Sequence, residues 1–411
     1  MNDPMGRPKT PRPVGQIPAV DQLRGLAILV VFGYHALGFA HVPAWNSWSG
    51  WFRWFDGSPW YLAIQPLFFG WSGVAVFFAV SGFCIHLSHR KSAQAGWRVF
   101  AWRRFWRIYP PYLVSLLIFA FIYPLTRLHF DGPHHGLFDW AQLGSHLLLI
   151  HNLDQRSFYG INGAFWSIAV EWQLYLIYPV LIWLVNRGGW RRTMYGIGAL
   201  EVGLRCWMAL AGEESSTGLM AVGTLPCWVA ASPFVYWFSW AAGAWLADAF
   251  VSGEPLPFAR QPAWLWAALF VASGFFRPLV AFAFLFAALT TVVALARLLQ
   301  RPVEEGATPV FFGGTGARWA RWLTAVGGVS YSLYLLHQPM LMMVQPALQR
   351  FLPMVAEQPA VLFLAMWVMG GIAFIFSKAF YRWVEAPGIK FGKSKFRPER
   401  RNSPAPQISM I

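Results

Sequence analysis

Apolar residues run along this chain in long stretches separated by short, arginine-rich connectors. Stretches of about 17–25 residues are long enough to cross a hydrocarbon core. They fall near 24–41, 65–87, 108–126, 164–186, 193–211, 224–250, 262–277, 279–298, 322–347 and 359–384. This pattern predicts an all-α fold, a polytopic membrane helical bundle of about ten transmembrane helices. A shorter stretch, 140–152, is ambiguous by length alone.

Charge resolves the ambiguity, because cytoplasmic connectors carry an excess of Lys and Arg. Arg7, Lys9 and Arg12 place the N-terminus in the cytoplasm, and Arg90, Lys91, Arg98, Arg103, Arg104 and Arg107 put the connector after the second span there too. If 140–152 crossed the membrane, Arg187, Arg191 and Arg192 would lie outside. If it does not cross, they lie inside with Arg297, Arg301, Arg318 and Arg321, and the acidic pair Glu213 and Glu214 lies outside. The reading is therefore ten spans with both termini cytoplasmic, and 140–152 as a half-inserted or surface helix. The expected location is the inner (cytoplasmic) membrane, multi-pass. Residues 1–19 read as a disordered basic, Pro-rich tail, 20–388 as the membrane domain, and 389–411 as a basic cytoplasmic tail that touches anionic lipid. No internal repeat is evident. The two long connectors are 127–163, external, and 299–321, cytoplasmic.

Composition agrees. Hydrophobic residues make up 57% of the chain and charged residues 12%, and the 25 Trp suit membrane interfaces. The net charge of +15 does not indicate nucleic acid, because the basic residues cluster between apolar segments and in the tail. Cys84, Cys206 and Cys227 form no C-x-x-C and no spaced framework, so they read as small apolar fillers. No metal-ligand cluster is expected.

Three constellations could carry chemistry. In the first span Arg24 and His35 are eleven residues apart, ~1100° of helical rotation, so both lie on one face, ~16 Å apart along the axis. An ionisable group at His35's depth is a functional candidate by default. Glu171 in the fourth span comes to about the same depth from the other side. A carboxylate beside an imidazole can fix its tautomer, as a base-orienting group must. The second constellation is Arg103, Arg104 and Arg107 with Phe, Trp and Tyr neighbours, ahead of Pro110-Pro111. Guanidinium forks and aromatic faces suit a phosphorylated, ring-bearing ligand. The third is a polar ridge in the ninth span, Ser330, Tyr331, Tyr334 and His337. With Trp166 and Ser167 it supplies candidate substrate contacts. Glu201 and Arg205 read as a self-neutralising structural pair, His86 and His89 as interfacial, and the H-x-x-x-x-D of His134 and Asp139 as a chance match in an external loop.

Six blocks resemble, in order, those of the acyltransferase 3 family of integral-membrane acyltransferases: DQLRGLAILVVFGYH, FFAVSGFCI, RRFWRIYPPY, WSIAVEWQLYLIYPVL, GGVSYSLYLLHQP and YRWVEAP. The resemblance implies ten spans and transfer of an acyl group, commonly acetyl from acetyl-coenzyme A, to a hydroxyl on a carbohydrate or other acceptor. By position it makes His35 the catalytic histidine, Arg24 its motif partner, Arg104 and Arg107 the coenzyme A contacts and Glu171 the motif acid. One departure is Trp172, where many members carry a second Glu.

The expected partners are therefore acetyl-coenzyme A or another acyl-coenzyme A as donor, a carbohydrate or lipid-linked glycan as acceptor, and membrane lipid. The expected mechanism is removal of a hydroxyl proton by His35, with Glu171 stabilising the imidazolium. A rival reading, a transporter of a lipid-linked or anionic solute, would suit ten spans with buried polar residues. It lacks the paired repeats or matching interrupted segments that transporters often show.

Overall fold

The computed structural model describes residues 17–40, 63–91, 96–126, 140–211, 226–301, 310–312, 317–354, 356 and 358–395. Regular structure among them is helical throughout. The main elements are α1 (Pro18–Phe39), α2 (Gly73–Lys91, entered by a 3-10 segment Gln65–Ser72), α3 (Gly96–Thr126), α4 (Trp140–Leu147) and α5 (Phe165–Ala211). They continue with α6 (Trp237–Ser252), α7 (Ala263–Ala272), α8 (Ala283–Gln300), α9 (Arg318–Gly328), α10 (Ser330–Met342) and α11 (Val344–Phe351). Last come α12 (Pro359–Phe380), a π-turn at Tyr381–Glu385 and α13 (Ala386–Ser394). The expected N-terminal tail lies outside the described residues up to residue 16, and the C-terminal tail from residue 396. So do His134, Asp139, Glu213 and Glu214.

Among the described residues, five helical stretches are long and apolar enough to cross a membrane: Pro18–Phe39, Gln65–Arg90, Phe165–Ala211, Ala283–Gln300 and Pro359–Ser394. The third holds two expected spans, divided at Gly189, whose φ of 73° breaks the helix. α3 contains the expected span 108–126 and, at 31 residues, rises ~46 Å. Three expected spans are not continuous helices. The stretch 224–250 opens with two single turns, Cys227–Ala230 and Pro233–Tyr236, before α6. Within 262–277 the helix ends at Ala272, and its ten residues rise only ~15 Å. The stretch 322–347 is α9, α10 and part of α11. It breaks at Val329, just past Gly327-Gly328, and again near Met343, where Pro346 follows.

Helix approach is set by missing side chains. A Cβ on Gly82 of α2 would strike the Trp240 carbonyl of α6, and one on Gly243 of α6 would strike the Ala79 carbonyl of α2. Gly25 of α1 and Gly327 of α9 interlock in the same way, against Leu323 and Asp21. Such close crossings replace the hydrophobic drive that lipid does not supply between helices.

α4 has eight residues and rises ~12 Å, too short for a ~30 Å core. This matches a half-inserted or surface helix. Its last carbonyls are satisfied from α3: Tyr112 donates to His146 O at 2.8 Å and Tyr109 to Leu147 O at 3.0 Å. The turn that follows is held on α5 by a reciprocal amide pair. Asn152 Nδ2 donates to Gln173 Oε1 at 3.1 Å, and Gln173 Nε2 donates to Asn152 Oδ1 at 2.7 Å. In α10, Pro339 has no N–H for the Leu335 carbonyl. Asn162 Nδ2 at 2.9 Å and Ser115 Oγ at 3.3 Å donate to that carbonyl instead. Two separate segments, α3 and the turn ahead of α5, are thereby tied to one point on α10.

Candidate functional site

A cavity opens among α1, α2, α3, α5 and α10. One end carries three guanidiniums. Arg24 comes from the start of α1, and Arg104 and Arg107 lie one turn apart on α3. Arg104 is 9% exposed and donates to Ser88 Oγ at 2.5 Å, while its Nε is buried without a partner. Ser330 Oγ, at the start of α10, is also buried and unpartnered on this wall. Val80, Ile85, Ile108 and Ile168, with Phe77 and Phe78, supply apolar lining.

Polar groups recur on the α2–α5 wall. Glu171 Oε1 accepts from Ser81 Oγ at 2.5 Å and from Tyr175 OH at 2.6 Å, four residues along α5. Trp240 Nε1 of α6 donates to the same serine at 3.3 Å. Arg107 has both Glu171, half-buried, and Glu385, buried, as electrostatic neighbours, so two carboxylates offset the cluster of arginines. Glu385 ends the π-turn and accepts from Ser332 Oγ at 2.6 Å. Tyr331 also lines the cavity, its hydroxyl donating to the Ile108 carbonyl at 2.9 Å.

Tyr334 and Ser167 line the cavity some six angstroms further along α10 from Ser330 (about 1.5 Å per residue), their oxygens 2.7 Å apart. Behind Tyr334 lies His337, ring centroids 5.3 Å apart, and behind His337 lies His35, at 5.0 Å. His35 is therefore not in the cavity lining but one histidine removed from it. Glu171 and His35 share no hydrogen bond. The expected His35–Glu171 pair is corrected to a His35–His337 pair, because the Glu171 carboxylate is turned to Ser81 and Tyr175 of its own wall.

The sequence profile of the acyltransferase 3 family, described as an acyltransferase domain, matches residues 17–377. The chain belongs to the acyltransferase 3 family. Among curated proteins it is similar to the peptidoglycan O-acetyltransferase OatA of Listeria monocytogenes, 24% identical over 210 residues that cover 47% of this chain and 29% of the relative. It is also similar to the acyltransferase MdmB of Streptomyces mycarofaciens, 28% identical over 167 residues covering 38% of this chain and 41% of that one. The aligned part is thus less than half of either relative's length. No solved structure matches the chain.

In this acyltransferase-family chain the six sequence blocks meet in pairs. Ser81 of the second block bonds Glu171 of the fourth, Tyr331 of the fifth bonds Ile108 of the third, and Ser332 of the fifth bonds Glu385 of the sixth. The first block meets the fifth through His35 and His337.

Of the twelve expected site residues, Arg24, Arg104, Arg107, Glu171, Ser167, Ser330, Tyr331 and Tyr334 line one cavity. His35 and His337 sit behind it. Two are elsewhere. Arg103 backs onto Gly392 of α13, a consequence of its ~100° rotation from Arg104 on α3. Trp166 packs on Phe158, ring centroids 5.9 Å apart, and outside the lining.

Sequence reasoning gave no role to Ser81, Tyr175 or Glu385, although all three stand in the quoted blocks. Asp248 was also unassigned. It accepts from Trp190 Nε1 at 2.7 Å and from His86 Nε2 at 2.9 Å, while Arg90 lies 3.4 Å away. His86 is thus a buried tie between α2 and α6. Glu201 and Arg205 form the expected structural pair, with Arg205 also donating to Ala281 O and Val235 O.

Proposed function

We infer that this chain is a membrane-embedded O-acyltransferase that moves an acyl group, acetyl in the simplest case, from an acyl-coenzyme A to a hydroxyl of a carbohydrate or lipid-linked glycan. The observation that carries this reading is the order of groups along one path: three arginines, an apolar sleeve, Tyr334 with Ser167, then His337 and His35. The relatives named as O-acetyltransferase and acyltransferase support the reaction class.

The residues fit a phosphorylated thioester donor. Arg24, Arg104 and Arg107 would hold its phosphates, with the unpaired Arg104 Nε and Ser330 Oγ as free donors. The apolar sleeve would hold an uncharged arm. The donor brings an acyl carbon activated as a thioester and a thiolate leaving group. Positive-inside charge puts the arginine end at the cytoplasmic face of a bundle of about ten spans with cytoplasmic termini.

The acceptor would approach from His35's side. Its hydroxyl is a weak nucleophile at neutral pH, so a base is needed, worth about 10²–10⁴-fold. His35 would take the hydroxyl proton as the new C–O bond forms and the C–S bond breaks, and return it to the departing sulfur. Glu171 serves the cavity wall and the charge balance of Arg107. A direct assay is release of free thiol from acetyl-coenzyme A by the purified protein in proteoliposomes, with and without the host's envelope glycans. Glycan-dependent release is the expected result; release of none, with folded protein, would sink the reading.

A further inference from the structure

The hydrogen bonds at His35 have one neutral solution. His35 Nδ1 lies 3.0 Å from the Val31 carbonyl and 3.2 Å from His337 Nε2. His337 Nδ1 lies 2.8 Å from the Tyr334 carbonyl. A carbonyl oxygen only accepts, so each Nδ1 carries the proton. His337 Nε2 is then a bare acceptor, and His35 Nδ1–H is shared between it and the Val31 carbonyl. The remaining lone pair in this hydrogen-bonded series is on His35 Nε2, which no group among the described residues bonds. His337 is fully buried and boxed by the rings of Phe32 and Tyr334, whereas His35 is partly exposed. One ring is locked; the other is open on its unprotonated nitrogen.

We propose that His337 is the positioning residue of this enzyme: it fixes His35 in the Nδ1–H tautomer, aims Nε2 at the acceptor hydroxyl, and receives part of the positive charge when His35 is protonated. This inference rests on the reading of His35 as the base. It gives His337 the task that an orienting carboxylate performs in other base-assisted acyl transfers, and it replaces direct substrate contact as the role of His337. A neutral acceptor suits the place, since a second buried charge beside His35 would need its own compensation. The line of main-chain and side-chain bonds also runs back to Tyr334, so the residue that closes the donor cavity and the residue that orients the base belong to one turn of α10.

The test compares two amides that differ in reach. Gln in place of His337 can put its Oε1 where Nε2 stands and accept from His35; Asn is too short to do so. Acetyl-coenzyme A turnover is measured in proteoliposomes supplied with host envelope glycans, with kcat and the KM for acetyl-coenzyme A resolved and each variant's melting temperature recorded. The expected result is kcat within about tenfold of wild type for His337→Gln and ~10²-fold or more below it for His337→Asn, with KM within about twofold for both. Equal activity in the two variants, whether high or low, overturns the positioning role. If His337→Asn does not fold, His337→Met supplies a side chain of suitable bulk with only a weak acceptor, and the same criteria apply. His35→Ala, assayed in parallel, separates the two claims. Activity retained there overturns the base itself; activity lost there but kept in His337→Asn overturns only His337.

Discussion

His337 Nε2 stands 3.2 Å from Nδ1 of His35, although 302 residues separate them in the chain. The contact joins α1 to α10 at the back of a cavity whose mouth holds Arg24 on the same α1 and Ser330 on the same α10. Two helices thus carry both ends of the path, and a helix is rigid enough to keep the ~16 Å between Arg24 and His35 fixed.

The arginine end should govern donor binding and not chemistry. Arg107→Ala removes charge-assisted bonds worth about 1.5–3 kcal/mol each. It should raise the KM for acetyl-coenzyme A by ~10–100-fold and leave kcat within about threefold. Isothermal titration with coenzyme A checks the binding arm. Arg103→Ala, which faces α13, should leave the KM unchanged.

Glu171 should behave as a wall residue. Its carboxylate accepts from Ser81 and Tyr175 and faces Arg107. Glu171→Ala takes the acceptor away from two hydroxyls, at a cost of about 1–3 kcal/mol for each buried group. The melting temperature should fall. Glu171→Gln, which keeps an acceptor, should fall less and should retain turnover that His35→Ala does not.

The buried Glu201–Arg205 pair supplies a stability test away from the site. Both side chains are almost fully buried, with the carboxylate also accepting from Ser239 N and Oγ. Glu201→Ala strands a guanidinium and should destabilise by about 3–5 kcal/mol. The double change Glu201→Leu with Arg205→Leu should be less damaging than either single change, as read by the melting temperature in detergent.

The α2–α6 crossing depends on the absence of side chains. Gly82→Val and Gly243→Val each place carbon against a backbone carbonyl of the other helix. Either should separate the helices and reduce the monodisperse yield on size exclusion, with Gly82→Ala intermediate.

Much of this was legible in the sequence. Helical period put Arg24 and His35 on one face, and the i, i+3 spacing put Arg104 and Arg107 on one wall. Charge kept 140–152 from being counted as a span, and its described helix, α4, has eight residues. What failed was mean apolarity as a guide to continuity: 262–277 and 322–347 are apolar enough on average to read as spans, yet glycine and proline break them. Depth along the membrane normal also misled. Helical rise puts His35 and Glu171 at similar expected depths, but depth says nothing about rotation about the bundle axis, and Glu171 bonds Ser81 and Tyr175. His337 was visible as part of a polar ridge. Its partner was not, because the pairing of α1 with α10 is a fact of helix packing that no local pattern encodes.

The central claim is that His35 is the base for acyl transfer. Acetyl-coenzyme A turnover by His35→Ala, in protein with a wild-type melting temperature and wild-type coenzyme A affinity, tests it most directly. The account predicts loss of glycan-dependent thiol release by ~10²-fold or more. Turnover within about threefold of wild type would contradict it.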